Sequence, residues 1–163
     1  MSGYDFTNLH VLICDDSRQI RSLLRIFLKS FNITNIAEAD DADKAFFELR
    51  QFDPDLVITD WNMPPTSGLD FIKRVRLDGD APNPYVPIIM LTAYTELHRV
   101  KQARDAGISA FLAKPLSAQS LYARLVSVVD DNRPFIRNKR FFGPDRRVVR
   151  EAVFEGGERR EAR

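Results

Sequence analysis

The sequence has one cysteine, no long apolar run and no glycine-rich phosphate loop, and each absence removes a class of function. The single Cys14 cannot form an intramolecular disulfide, and its apolar surroundings favour a small buried side chain in a reducing compartment. No apolar run approaches the roughly 20 residues that span a bilayer, and residues 1–8 show no basic leader followed by an apolar stretch. Neither the Gly-x-Gly-x-x-Gly nor the Walker pattern occurs, which argues against nucleotide chemistry. We therefore expect a soluble cytoplasmic protein without a membrane role.

The chain of 163 residues, 44% of them hydrophobic, is long enough for one domain with a sizeable core and a short appendage. Its net charge of +1 is unevenly distributed: residues 1–132 hold 14 Lys/Arg and 18 Asp/Glu, whereas residues 133–163 hold 10 and 5. Helical periodicity stops at Asp130-Asp131, and Pro134 follows. We therefore place a domain over residues 1–132 and a basic extension containing Arg and Phe over residues 133–163.

Before that boundary, apolar runs alternate five times with segments of helical period. This pattern predicts an α/β protein with a parallel sheet and crossover helices on both of its faces. The predicted strands are Val11 to Cys14, Asn35 to Glu38, Leu56 to Thr59, Ile88 to Leu91 and Ala110 to Ala113. The first, third and fifth predicted helices follow Ser17, Ser67 and Ser117. The second includes Ala42 to Leu49, and the fourth covers about Thr95 to Ala106 and ends at Gly107. Ser17 is a predicted N-cap, and Ser67, with Asp70 three residues on, is predicted to open the third helix in the same way.

Polar side chains stand at the ends of four predicted strands. Asp15 and Asp16 follow the first strand, Asp60 the third, Thr92 the fourth and Lys114 the fifth. Ligands of open α/β sheets lie beyond the carboxyl ends of the strands, so we expect these side chains to meet there.

Three carboxylates at one place would repel one another unless a cation held them. Mg2+ takes one or two carboxylates and leaves room for phosphate oxygens, so it is the expected ion for Asp15, Asp16 and Asp60. Asp60 could then act as a nucleophile that accepts a phosphoryl group, with Lys114 neutralising charge and Thr92 donating a hydrogen bond. Each residue also has an ordinary structural interpretation, such as a helix cap or a solvated lysine, but their joint order and spacing favour the site.

With the segment Asp60-Trp61-Asn62-Met63-Pro64, these residues resemble the receiver domain of the two-component response-regulator family, especially the stand-alone chemotaxis type. The resemblance covers about residues 8–130. It implies a flavodoxin-like, doubly wound α/β fold with a five-stranded parallel sheet in the order 2-1-3-4-5 and five helices.

The resemblance also implies a role for each residue of the motif. Asp60 would be the phosphoacceptor, Thr92 and Lys114 would act with it in phosphoryl transfer, and Thr92 and Phe111 would form the conformational switch. The Lys114-Pro115 peptide bond would be cis. The implied Mg2+ ligands are Asp15, Asp16, Asp60 and the backbone carbonyl of Asn62, with Asp16 more direct than Asp15.

The function implied is that of a single-domain response regulator, not an enzyme with a separate catalytic output domain. It would accept its phosphoryl group from a histidine kinase or histidine phosphotransfer protein. It would then signal to a downstream protein through the face formed by the fourth helix, fifth strand and fifth helix. The alternative is a Mg2+-dependent aspartyl-phosphate phosphotransferase or phosphatase, whose common form has an acid two residues after the nucleophile, where this chain has Asn62. Asn62 and Tyr94 would flank the path of the hydrolytic water.

The extension is too short for a winged helix or a catalytic domain. It contains an approximate repeat, Gly143-Pro144-Asp145-Arg146-Arg147 and Gly156-Gly157-Glu158-Arg159-Arg160. One interpretation is a solvated basic segment, and a second is a docking segment for a partner protein or a second subunit in a homodimer. A third is nucleic-acid binding, against which the interspersed acids argue.

Overall fold

A computed structural model of the protein describes residues 4–79, 81–93, 100–130, 135–137 and 142–144. Within these residues the strands are β1 (His10–Cys14), β2 (Asn35–Ala39), β3 (Leu56–Asp60), β4 (Asn62–Met63), β5 (Thr66–Ser67), β6 (Ile88–Ala93), β7 (Ala110–Lys114), β8 (Phe135–Arg137) and β9 (Phe142–Pro144). The helices are α1 (Arg18–Ser30), α2 (Ala42–Gln51), α3 (Gly68–Leu77), α4 (Val100–Ala106) and α5 (Ala118–Val129).

Five strands form one parallel sheet in the order β2-β1-β3-β6-β7. The predicted fold and strand order are confirmed. β4 and β5 form a short antiparallel pair outside the main sheet, so the fourth and fifth predicted strands are numbered β6 and β7 here. β3 lies at the centre of the sheet, and all five of its residues are buried.

Alternate side chains of the strands enter two separate hydrophobic cores, as the two-residue period of a strand requires. Leu12, Cys14 and Val57 point toward the layer of α2, α3 and α4. Ile13 and Ile58 point toward the layer of α1 and α5. The sheet is therefore covered by helices on both faces, and Cys14 is a core residue, as predicted.

Serine side chains cap three of the helices, and the predicted caps at Ser17 and Ser67 are confirmed. Ser17 Oγ accepts a hydrogen bond from the backbone N–H of Ile20, Ser67 Oγ from that of Asp70, and Ser117 Oγ from that of Ser120. Each bond satisfies one N–H group that the first turn of a helix leaves without a partner.

The end of α4 agrees with the prediction, since Gly107 adopts a φ of 105°, which glycine tolerates at a helix C-terminus. Its predicted start at Thr95 lies outside the described residues, which resume at Val100. The second strand extends one residue beyond Glu38, to Ala39.

The loop that precedes β6 is organised by a buried arginine that the sequence analysis did not single out. Arg76, near the end of α3, donates hydrogen bonds to the backbone carbonyls of Pro84, Val86 and Gly107 at 2.7, 2.7 and 2.9 Å. The side chain is only 2% exposed, and its burial lowers the pKa of the guanidinium to about 9. Arg76 thus ties α3 to the loop and to the end of α4.

Part of the basic extension has regular structure that no local pattern predicted. β8 and β9 pair antiparallel, and β9 lies against α3. Gly143 and Pro144, both in β9, are buried. The second copy of the approximate repeat, at residues 156–160, lies outside the described residues. The domain boundary at residue 132 stays a prediction.

Candidate functional site

The register of the sheet brings the predicted polar residues to one edge. Cys14 is paired with Thr59, so the next residues along β1 and β3 are Asp15 and Asp60. Thr92 is paired with Ala113, which places Lys114 one residue beyond it on β7. Since the strands are parallel and adjacent, all of these side chains stand at the carboxyl ends of the sheet.

Three of the acids form one cluster. One carboxylate oxygen from each of Asp15, Asp16 and Asp60 lies within 4.8 Å of the others. Asp15 and Asp60 are buried, whereas Asp16 is exposed. The cluster therefore opens to solvent on the side of Asp16.

Asp15 is held in place but incompletely satisfied. Its Oδ1 accepts a hydrogen bond from the backbone N–H of Ser17 at 2.8 Å, whereas its Oδ2 is buried and has no hydrogen-bond partner in the described part of the chain. Burial raises the pKa of Asp15 to about 6, and the negative charge of Asp60 acts in the same direction.

The donor set fits a hard divalent cation. Carboxylate oxygens are the ligands that Mg2+ prefers, and a buried oxygen without a partner is what a bound cation would satisfy. The cluster of Asp15, Asp16 and Asp60 can therefore hold such an ion.

Asp60 also carries a contact to an amine. Lys114 Nζ donates a hydrogen bond to Asp60 Oδ1 at 3.1 Å, in an ion pair between the last residues of β3 and β7. The side chain of Lys114 remains 32% exposed, so it has room to move and contact a group attached to Asp60. The predicted cis peptide bond between Lys114 and Pro115 is confirmed.

The two predicted switch residues are buried on neighbouring strands. Thr92 is 2% exposed, and its hydroxyl donates to the backbone carbonyl of Ala93 at 3.3 Å. Phe111 is also 2% exposed and belongs to the core between the sheet and the layer of α2, α3 and α4. Of the remaining predicted residues, Asn62 lies in β4 with an exposed side chain, and Tyr94 is outside the described residues.

Two residues that support the site were missed from sequence. Arg21 donates from its NH1 group to the backbone carbonyl of Asp15 at 2.7 Å and from Nε to Glu38 at 2.9 Å, so it fixes the turn that presents Asp15. The only signal for this was a basic residue one turn into α1, which is common and weak.

Gly68, the first residue of α3, is the second. Its N–H donates to the carbonyl of Trp61 at 2.9 Å, and a Cβ built at this position would lie 2.0 Å from the carbonyl oxygen of Asp60. No larger residue fits without moving the end of β3 or the start of α3. The sequence signal was a glycine directly after a capping serine, which does not reveal the close approach.

The arrangement has the chemical parts needed to form and hold an acyl phosphate. The Asp60 carboxylate, at the end of the buried strand β3, can act as a nucleophile, Lys114 lies beside it with a positive charge, and Asp15 and Asp16 can hold a cation. No helix among the described residues is long and apolar enough to cross a membrane.

Comparisons with known proteins agree with this geometry. Residues 11–126 match the family model described as the response regulator receiver domain. The chain is 32% identical over 123 residues to the chemotaxis protein CheY-3 of Vibrio cholerae serotype O1, covering 76% of this chain and 93% of that protein. It is 32% identical over 122 residues to the chemotaxis protein CheY of Pseudomonas aeruginosa, covering 75% and 97%.

A solved structure is similar in fold. The chemotaxis response regulator CheY4 of Vibrio cholerae matches with a TM-score of 0.66 and 29% sequence identity, over 74% of this chain and 98% of that chain. The family match covers more than half of the chain, and both relatives are matched over most of their length. The chain therefore belongs to the response regulator receiver domain family of two-component systems.

Proposed function

We propose that this protein is a Mg2+-dependent phosphoryl acceptor that takes a phosphoryl group onto Asp60 from a histidine kinase or histidine phosphotransfer protein. It then signals through a phosphorylation-dependent protein–protein interaction. The observation that carries the proposal is the position of the Asp60 carboxylate, which lies 3.1 Å from Lys114 Nζ and within 4.8 Å of oxygens of Asp15 and Asp16.

In the proposed transfer, a carboxylate oxygen of Asp60 attacks phosphorus, a new O–P bond forms, and the bond between phosphorus and the donor's nitrogen breaks. The donor nitrogen keeps the electron pair of that bond. Lys114 stabilises the negative charge on the phosphoryl oxygens, and the hydroxyl of Thr92 donates a hydrogen bond to one of them.

The proposed Mg2+ ligands are the carboxylates of Asp15, Asp16 and Asp60 and the backbone carbonyl of Asn62. The bound ion would supply positive charge that the three acids lack and that phosphoryl oxygens need. The Oδ2 of Asp15, which is buried and has no hydrogen-bond partner within the described ranges, supports this assignment.

The proposed output is a change in packing. In the chain without a phosphoryl group, Thr92 bonds to the carbonyl of Ala93, and this bond competes with one to phosphoryl oxygens. Movement of Thr92 would open space beside Phe111 and change how α4, β7 and α5 pack. The phosphoryl group stabilises the new arrangement only by the difference between its contacts in the two states.

Intact-protein mass spectrometry after incubation with Mg2+ and acetyl phosphate tests the proposal. The wild type should gain the mass of one phosphoryl group, and Asp60→Asn should gain none. Asp70→Asn, which removes an exposed acid from the first turn of α3, is the matched control and should behave as the wild type. An equal adduct on Asp60→Asn, or no adduct on any of the three proteins, would refute the assignment.

A further inference from the structure

The basic extension follows α5, which covers one face of the sheet, but it contacts α3, which covers the other face. The apolar face of α5, with Leu121 and Leu125, packs in the same core as α1. α3, with Phe71 and Ile72, packs in the other core. β9 has Cα atoms within 8 Å of α3, so residues after α5 return to the domain on its second layer.

This contact is a buried one. Gly143 and Pro144 are both buried, although the composition of the extension favours solvation. Proline has no backbone N–H to leave without a partner, which suits the final residue of the two-stranded β8–β9 pair. α3 is thus already contacted by a segment of the same chain.

α3 is tied to the phosphoacceptor strand at its first residue. Gly68 packs so closely on the carbonyl of Asp60 that a Cβ would lie 2.0 Å from the oxygen, and its N–H bonds to the carbonyl of Trp61. Because the backbones of Asp60 and Gly68 are in close contact, a shift of the end of β3 would displace the start of α3.

α3 is also tied to the region that follows Thr92. It packs against α4, and Arg76 bonds the end of α3 to the carbonyl of Gly107, directly after α4. α3, which contacts the β8–β9 hairpin, is therefore connected both to the end of β3 and to α4. These are the two places where a phosphoryl group on Asp60 would act.

We propose that α3 carries a docking site whose occupant is the β8–β9 hairpin of the same chain, and that phosphorylation of Asp60 loosens this docking. The hairpin would then be an intramolecular effector of the receiver domain. The inference rests on the function proposed for Asp60. The hairpin is docked on α3 in the chain without a phosphoryl group. The proposed coupling between phosphorylation and docking should therefore be observed as release of the hairpin.

Hydrogen exchange of the full-length chain, measured by mass spectrometry with and without acetyl phosphate in the presence of Mg2+, tests the coupling. The backbone amides of β8 and β9 should exchange about fivefold faster or more in the phosphorylated protein, the lower end of common coupling between two sites. Intact mass in the same sample reports the extent of phosphorylation. Unchanged or slower exchange in a phosphorylated sample would overturn the coupling.

A pair of glycine variants tests the docking without any phosphorylation. Gly143→Asp places a charge in the buried contact and should raise exchange of the hairpin amides by about fivefold or more, because burial of an unpaired charge opposes docking. Gly79→Asp is the control, since Gly79 is exposed and a Cβ there meets no atom of the described residues within 4 Å. Wild-type exchange in Gly143→Asp would overturn the docking site.

The two experiments separate the failure of this inference from that of the proposed function. If the wild type forms no adduct, the function proposed for Asp60 fails and the coupling falls with it, while Gly143→Asp still decides whether α3 holds the hairpin. If the adduct forms and the hairpin does not respond, only the coupling is wrong.

Discussion

Asp15 gives the clearest evidence for a ligand at the scale of single residues. It is 1% exposed, one of its buried oxygens has no hydrogen-bond partner among the described residues, and its pKa is raised to about 6 because burial penalises the charged form. Such a group makes the fold less stable when it is ionised and alone. Its position is therefore better explained by a bound cation than by a contribution to stability.

Replacing Asp15 should separate its effect on the stability of the fold from its role in binding a cation. Asp15→Asn should raise the free energy of unfolding by about 1 kcal/mol in metal-free buffer at pH 7, because the buried wild-type carboxylate is ionised at that pH and its raised pKa opposes folding. The same change should abolish the stabilisation that added Mg2+ gives to the wild type. Thermal unfolding with Mg2+ and with a chelator measures both effects.

Asp53→Asn is the control for that experiment, since Asp53 is exposed and precedes β3 at the opposite edge of the sheet. It should respond to Mg2+ as the wild type does. A variant at Asp15 that still gains stability from Mg2+ would contradict the proposed ligand set.

Lys114 is expected to act on the rate of phosphoryl transfer. Lys114→Ala should slow adduct formation from acetyl phosphate by about tenfold or more, because a positive charge 3.1 Å from Asp60 is lost. The effect should be smaller than for a fully enclosed donor, since the side chain is 32% exposed. Time-resolved intact mass measures the rate, and Lys101→Ala, an exposed lysine of α4, should leave it unchanged.

At the scale of elements, the start of α3 is fixed by a close backbone contact. A Cβ at Gly68 would lie 2.0 Å from the Asp60 carbonyl oxygen, so Gly68→Ala must displace the helix or the strand. It should lower the free energy of unfolding by about 2 kcal/mol, as for other overpacked sites. Urea unfolding measures the loss. Gly79→Ala, where a Cβ meets no atom within 4 Å in the described part of the chain, should stay close to the wild type. Equal stability of the two variants would contradict the close packing.

α1 and β2 are joined by two arginines on one carboxylate. Glu38 accepts hydrogen bonds from Arg25 Nε at 2.7 Å and Arg21 Nε at 2.9 Å. Burial alone would raise the pKa of Glu38, but the two arginines outweigh it and hold the pKa below its ordinary value. The contribution to stability is thus fully present above the pKa of the unfolded state and is lost as pH falls through the folded pKa.

Glu38→Gln should therefore cost about 1 kcal/mol at neutral pH and less in acid, because the wild type loses the same interaction when Glu38 is protonated. Urea unfolding at pH 7 and near pH 3.5 gives the two differences. Glu48→Gln on α2, which makes the same change of side chain away from α1 and β2, is the matched control. A cost for Glu38→Gln that stayed constant with pH would contradict the ion-pair explanation.

How well an element could be predicted depended on whether its signal was local. The central strands and the caps at Ser17, Ser67 and Ser117 follow from apolar runs and from hydroxyl groups that stand directly before a helix. The β8–β9 hairpin did not follow, because two three-residue strands show no usable alternation and are defined by their pairing and by contact with α3.

For the whole molecule, the order of motifs predicted the site, but packing determined its chemistry. Parallel neighbouring strands must bring their carboxyl ends to one edge, so the meeting of Asp15, Asp60 and Lys114 could be expected from sequence. The burial of the Asp15 carboxylate and the contact of Gly68 could not, since both depend on which atoms the folded chain places around them.

The central claim is that the phosphoryl group is carried by Asp60, and the most direct measurement is its location. Treatment of the phosphorylated protein with borohydride reduces an acyl phosphate at an aspartate to the alcohol of homoserine, and peptide mass spectrometry then identifies the modified position. We predict homoserine at residue 60 only, and only when Mg2+ was present during phosphorylation. Homoserine at another aspartate, or equal modification without Mg2+, would contradict the proposed function.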